Sequence, residues 1–228
     1  MSRQLTFDLP VRTALGRDDF FVSPSNQLAV AMLDASHWPE GKLLLVGPPG
    51  SGKSHLAAVW ANGCKAQIVA ASDLGEPEGD AAALPLTALV IEDIDRIAGD
   101  SARETALFHY HNLIRANGGR LLVTATVSAR GAGFVLPDLA SRIEAAQVAT
   151  LNPPDDALLA AVLVKQFSDR QITPPPALIE WLLPRIDRSF AAARALVADL
   201  DALSLARQRP VSRALASELL DRGTTSGT

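Results

Sequence analysis

Residues Gly47-Pro48-Pro49-Gly50-Ser51-Gly52-Lys53-Ser54 fit the pattern G-x-x-x-x-G-K-[ST]. An apolar run, Leu43-Leu44-Leu45-Val46, precedes the octapeptide. Leu56, Val59 and Trp60 follow it at spacings that share one helical face. A buried strand, a glycine turn and a helix N-terminus in that order call for an α/β domain with a parallel sheet. The glycines let the backbone approach a polyphosphate without Cβ clashes. The N–H groups of the loop and first helical turn point at the anion, with the helix dipole behind them. Lys53 is positioned to reach the β/γ-phosphates, and the Ser54 hydroxyl to hold Mg²⁺.

The flanking chain reads as a domain of alternating strands and helices. Phe20, Phe21 and Val22 form an apolar segment before the P-loop strand; in a nucleotide-binding domain they would line the base pocket, and otherwise they are core. Ser25 or Asn26 can cap a helix running to about Ser36. Ala66–Ala71 reads as a second strand, and Ser72–Leu86, rich in Gly, Pro, Ala and acids, as loop. Leu89-Val90-Ile91-Glu92-Asp93-Ile94-Asp95 is an apolar strand ending in carboxylates, the Walker B pattern. One such acid, Glu92, would hold the Mg²⁺ shell, and its neighbour Asp93 would orient water.

Ser101-Ala102-Arg103-Glu104 has the form of a capping box opening a helix to about Asn117, ended by Gly118-Gly119. His109 and His111 lie two apart on different faces and read as surface residues rather than metal ligands. Leu121–Thr126 is the next strand; its Thr124 or Thr126 could meet a γ-phosphate or its water. Pro137–Ser141 makes a short helical turn before Arg142, and Gln147–Leu151 a last strand. At Asn152-Pro153-Pro154 the texture becomes wholly helical, with helices at about 156–169, 176–183, 190–207 and 213–220. The domains are thus 18–152 and 153–221, flanked by 1–17 and a polar tail, 222–228, expected to be disordered.

The net charge of −4 argues against a nucleic-acid surface built on charge alone. A single cysteine, Cys64, forms no internal disulfide and points to a reducing compartment. Neither a signal-peptide core nor a run long enough to span a membrane is apparent, so a cytoplasmic protein is expected. At the start of the chain Leu5, Phe7 and Leu9 alternate before Pro10. That suits an extended peptide docking into another surface, a terminal strand, or a frayed end.

A P-loop domain followed by a helical lid resembles an AAA+ ATPase. Asp19-Phe20-Phe21-Val22-Ser23-Pro24-Ser25-Asn26 resembles the segment that opens the AAA+ domain of the bacterial replication initiator DnaA. The P-loop continued by His55-Leu56 fits the same domain, and Pro137-Asp138-Leu139-Ala140-Ser141-Arg142 resembles its arginine-finger segment. The resemblance covers neither the initiator's N-terminal domain nor its C-terminal DNA-binding domain, and a chain without them is the expectation. In the N-terminal position Gln4-Leu5-Thr6-Phe7-Asp8-Leu9-Pro10 resembles a sliding-clamp-binding peptide, with Gln4, Leu5, Phe7 and Leu9 as its contacts. Together these features resemble the Hda family, regulatory inactivators of DnaA.

The resemblance implies an ADP- or ATP-bound, Mg²⁺-dependent protein on the DNA-loaded β clamp of DNA polymerase III. It meets DNA only through the clamp, contacts ATP-bound DnaA, and offers Arg142 to the initiator's γ-phosphate; a homodimer is a further possibility. Two departures bear on its own catalysis. The Walker B pair reads Glu92-Asp93 rather than Asp-Glu, and Ala191 stands where the lid arginine is expected, leaving Arg188 and Arg194 as substitutes at the phosphates. Stable nucleotide binding with weak intrinsic hydrolysis is the expectation. The alternatives are a self-contained DnaA-like ATPase of helicase-loader type and a DNA-anchoring adaptor with a structural P-loop.

Overall fold

A computed structural model describes residues 21–75 and 86–225. The N-terminal peptide with Gln4, Leu5, Phe7 and Leu9, residues 18–20, most of the expected 72–86 loop, and residues 226–228 lie outside the described residues. The described chain forms two compact units, one spanning Pro24–Asn152 and the other running from Pro153 onward with Phe21–Ser23.

In the first unit, β1 (Lys42–Val46), β2 (Gln67–Ala70), β3 (Ala88–Glu92), β4 (Arg120–Ala125) and β5 (Gln147–Thr150) form one sheet in the order β2-β3-β4-β1-β5. Every pairing is parallel. Its helices are α1 (Gln27–Leu33), α2 (Lys53–Cys64), α3 (Ser101–Ala116), α4 (Ala129–Ala132) and α5 (Pro137–Glu144). The expected α/β architecture is therefore the one adopted. Strands β1 and β3 read as continuous apolar runs because both of their faces are covered: Leu43, Leu44 and Leu45 have no exposure, and neither have Val90 and Ile91.

One core cluster joins Leu89, Ile91 and Val123 of the sheet to Leu107 and Ile114 of α3 and to Leu139 and Ile143 of α5. Leu56, Val59 and Trp60 of α2 are buried as their spacing predicts, and Trp60 stacks on Trp38 at 5.0 Å between ring centroids. The Arg120 guanidinium lies 5.2 Å from the Trp60 ring centre and 5.6 Å from that of Trp38.

The second unit holds α6 (Asp156–Ser168), α7 (Pro176–Leu182), α8 (Phe190–Arg207) and α9 (Arg213–Thr225). Leu159, Leu163 and Phe167 of α6 meet Leu178 and Leu182 of α7, and Val197 and Leu200 of α8, in a separate core. Side-chain caps start two of its helices: Asp155 accepts from Leu158 N–H at 2.8 Å, and Ser189 from Ala192 N–H at 3.0 Å. Helix α9 continues to Thr225, past the expected end at Leu220 and into the stretch read as tail. Among the described residues no helix is long and apolar enough to cross a membrane.

Three local expectations are corrected. Strand β3 stops at Glu92, because Asp93 turns into the left-handed region (φ 56°) and Ile94–Ile97 forms a 3-10 turn; Asp95 is therefore on the turn, not the strand. The cap of α3 is Asp100, whose side chain accepts from Arg103 N–H at 3.1 Å, so Ser101 and Glu104 do not make the capping box. His111 is buried rather than surface, because it falls on the Leu107–Ile114 stripe that faces the core. His109 is exposed.

Candidate functional site

Register fixes what meets at the carboxyl end of the sheet. Val46 pairs with Ala125 on one side and Thr150 on the other, while Ala70 pairs with Glu92. The loop leaving β1 is anchored at once: Gly47 N–H donates to the Ala125 carbonyl at 3.2 Å, and Leu151 N–H to the Val46 carbonyl at 2.7 Å. A Cβ on Gly47 would lie 2.7 Å from Ser51 Oγ and 2.8 Å from the Leu151 carbonyl oxygen, so no larger residue fits this turn. Gly50 (φ 74°) and Gly52 (φ 95°) take conformations that L side chains rarely adopt. Pro48 and Pro49 are exposed on the outside of the loop.

Helix α2 opens at Lys53 with Gly52 in the cap position and no side-chain cap, leaving the first-turn N–H groups to an outside acceptor. Lys53 is buried, and its ammonium donates to the carbonyls of Gly47 (2.6 Å) and Pro48 (3.1 Å). Burial lowers its pKa from the ordinary 10.5, while Asp93, Asp95 and Glu92 pull it back up and Arg96 adds to the lowering. Ser54 and His55 follow with exposed side chains, and the buried Ser51 hydroxyl has no hydrogen-bond partner among the described residues.

The acids sit on the turn after β3. Asp93 N–H donates to Thr124 Oγ1 at 2.9 Å, and its carboxylate pairs with Arg96 at 3.2 Å. Thr124, expected at the phosphate, is fully buried and holds this turn. Asp95 accepts from both the N–H and the hydroxyl of Thr126. Its other oxygen, and Glu92 Oε1, are buried with no donor among the described residues. Orphaned buried acceptors call for a cation or an ordered water. No group of three or more metal-ligating side chains occurs among the described residues. Mg²⁺, which takes one or two protein ligands and completes its shell with phosphate oxygens and water, is one cation that such oxygens could meet. Asp95 was not among the sequence candidates because that reading carried β3 too far; its unpartnered buried oxygen makes it one.

The remaining candidates lie elsewhere. Arg142 is on the last turn of α5, which leads into β5, and Gln147 pairs with Leu43 at the entry end of β1. The P-loop leaves β1 at the other end, so roughly 13 Å of strand separates Leu43 from Gly47, at about 3.3 Å per residue. Arg142 is half-buried and makes no hydrogen bond or ion pair to a described residue. Its charge is felt at Glu40 and His111. Lys42, fully buried, pairs with Glu40 at 2.9 Å and holds that carboxyl below its ordinary range, with Arg115 and Arg142 adding to the effect. Burial pushes the His111 pKa down, and the positive charges of Lys42, Arg142 and Arg115 act in the same direction, against the Asn112 side chain. A cavity of about 620 Å³ opens at this end, lined by Trp38, Glu40, Arg115 and Arg120, well away from the P-loop.

In the helical unit Arg188 is tied to the start of α6, through Asp156 at 2.7 Å and the Pro154 carbonyl at 3.4 Å. Arg194 is exposed on α8, and Phe21 and Val22 are half-buried.

No family model matches the chain. Among solved structures it is similar to domain III of the Thermotoga maritima replication initiation protein DnaA, with 19% identity and a TM-score of 0.77 over 90% of this chain and 95% of that one. It is also similar to AMPPCP-bound DnaA from Aquifex aeolicus, with 15% identity and a TM-score of 0.68 over 80% of this chain and 63% of that one. The Thermotoga maritima RuvB branch migration motor matches with 20% identity and a TM-score of 0.63 over 79% of this chain and 61% of that one. The chain thus spans somewhat less than two thirds of the longer structures it matches. The fold is that of a DnaA-like AAA+ domain with a helical C-terminal portion.

Proposed function

We propose that this chain is a nucleotide-dependent regulator of replication initiation of the Hda type. In this reading the P-loop holds ADP or ATP on the backbone of residues 47–54, with Lys53 on the phosphates, Ser54 and Glu92 toward Mg²⁺, and His55 beside them. The ion would neutralise phosphate charge when bound. The AMPPCP carried by DnaA structures of the same fold supports the choice of an adenine nucleotide.

The observation that carries the regulatory reading is the position of Arg142, a strand's length from its own P-loop and free of ion pairs to described residues. An arginine so placed can act on a phosphate held by another molecule. Acid predominates at the carboxyl end, with Glu92, Asp93 and Asp95 against Lys53 and Arg96. Base predominates at the other end, with Lys42, Arg115 and Arg142 around Glu40. That polarity favours end-to-end contact with a similarly built partner. The partner proposed is ATP-bound DnaA, reached from the DNA-loaded sliding clamp through Gln4, Leu5, Phe7 and Leu9.

The test is single-turnover ATP hydrolysis by the initiator on DNA-loaded clamp, with wild-type protein, Arg142→Ala, or a chain lacking residues 1–10. Acceleration by wild type alone supports the reading; acceleration by all three contradicts it. A self-contained ATPase is the second reading, favoured by Asp95 facing Lys53 beside Glu92 and Asp93. It requires steady hydrolysis by the chain alone, abolished in Asp95→Asn.

A further inference from the structure

Glu104 has no exposure at all, and it does not cap its own helix. Its carboxylate instead accepts three backbone N–H groups, one from the residue before the cap of its own helix and two from a segment 31 and 32 residues away. Oε1 takes Gly99 N–H at 2.8 Å and Val135 N–H at 3.1 Å, and Oε2 takes Leu136 N–H at 2.7 Å. Gly99 follows the 3-10 turn that begins beside Asp93 and contains Asp95. Leu136 occupies the cap position of α5, where no side chain of its own caps the helix and Pro137 opens it. One buried carboxylate therefore ties the acid-bearing turn after β3 to the start of the helix that carries Arg142.

Such a group is costly to bury unless it is hydrogen-bonded; here three N–H groups donate to it, and its place in the first turn of α3 favours its charge. At that end of the loop it holds, Val135 is 58% exposed and Gly133 lies at φ 78°, while Phe134 and Leu136 pack against the core. At its other end the same loop is held by Asp95 on Thr126. Two carboxylates from the segment after β3 thus pin both ends of the 126–136 stretch. Downstream, Leu139 and Ile143 seat α5 in the core beside Leu107, so the direction of Arg142 follows from where α5 begins.

We propose that Glu104 is the positioning residue of Arg142, fixing the start of α5 and with it the reach of the guanidinium; this rests on the reading of Arg142 as the group offered to a partner's phosphate. Displacing such a group by about 1 Å costs on the order of 10²-fold in rate. Glu104 touches neither nucleotide nor partner in this scheme.

The test uses the full chain as wild type, Glu104→Gln, Leu136→Ala and Leu136→Pro. Gln keeps the size of Glu104 but replaces an acceptor oxygen with a donor. Pro suits the φ of −83° at residue 136 and deletes its N–H, while Ala deletes the side chain only. Three readouts are taken: amide exchange along α5, affinity for a fluorescent ADP analogue, and stimulated hydrolysis by the initiator as a function of protein concentration. Glu104→Gln and Leu136→Pro are expected to speed α5 exchange and lower the maximal stimulated rate, each by about tenfold or more, while Leu136→Ala changes both by less than about threefold. ADP affinity and half-saturating concentration stay within about twofold throughout.

Wild-type exchange and maximal rate in Glu104→Gln would overturn the proposal. So would a loss of ADP affinity in step with the loss of rate, which marks a general strut. If Glu104→Gln does not fold, the Pro and Ala pair at Leu136 decides alone, equal behaviour of the two overturning the proposal. If wild type fails to stimulate the initiator, the proposed function falls, and the exchange comparison still decides whether Glu104 sets α5.

Discussion

The two ends of the parallel sheet solve the same problem in different ways. Both bury charged groups near the backbone. At the carboxyl end the arrangement is local: Gly47, Gly50 and Gly52 bend eight consecutive residues around a buried lysine, and the acids arrive at the end of β3 and on the turn after it. At the amino end the groups come from far apart in sequence. Glu40 precedes β1 and Lys42 opens it, His111 and Arg115 are on α3, Arg120 opens β4 and Arg142 is on the last turn of α5. A site made by one loop is visible as a motif. A site made by four segments is visible only once the strands have been ordered.

The contrast can be broken most forcefully at Arg142. If the two ends act on different molecules, Arg142→Ala abolishes stimulation of the initiator by about 10³–10⁵-fold, the range typical of trans-acting arginines, with no loss of the chain's own nucleotide. Lys53→Ala works at the other end. It removes a charge-assisted contact and should weaken nucleotide binding by about 10²-fold, read by equilibrium titration.

The buried imidazole sharpens the comparison through pH. Burial holds the pKa of His111 below its ordinary 6.5, so below about that pH the unfolded chain binds a proton that the folded chain does not. Stability is therefore lost as pH falls from 7 toward 5, by at most about 1.4 kcal/mol per unit for this one group. Urea melts at both pH values should show a smaller drop in His111→Gln. The smallest effect is expected at Arg120→Gln, which removes the guanidinium from the Trp38–Trp60 pair and should cost about 0.5–1 kcal/mol in the same melts.

Much of the fold was legible because its strongest signals are periodic. The limits of α8 follow from the spacing of Ala193, Leu196, Val197 and Leu200, and the P-loop unit from its apolar strand and glycines. What was not legible depended on partners distant in sequence. Ser101-x-x-Glu104 has the form of a local cap, yet Glu104 is claimed by N–H groups 31 and 32 residues away. Thr124 stands at a strand end as a phosphate-sensing residue would, yet it spends its hydroxyl oxygen on Asp93 N–H. His111 did carry a signal, since it continues the stripe of Leu107 and Ile114; reading only its offset from His109 hid it. Asp95 was assigned to the strand because nothing in the composition of residues 89–95 marks the left-handed turn at Asp93.

The most direct test of the division between the two ends is one calorimetric titration of ADP into wild type, Lys53→Ala and Arg142→Ala under the same conditions. The account predicts wild-type affinity for Arg142→Ala and a loss of about 10²-fold for Lys53→Ala. A comparable loss in both would place Arg142 at its own chain's nucleotide and contradict the assignment of the two ends to different molecules.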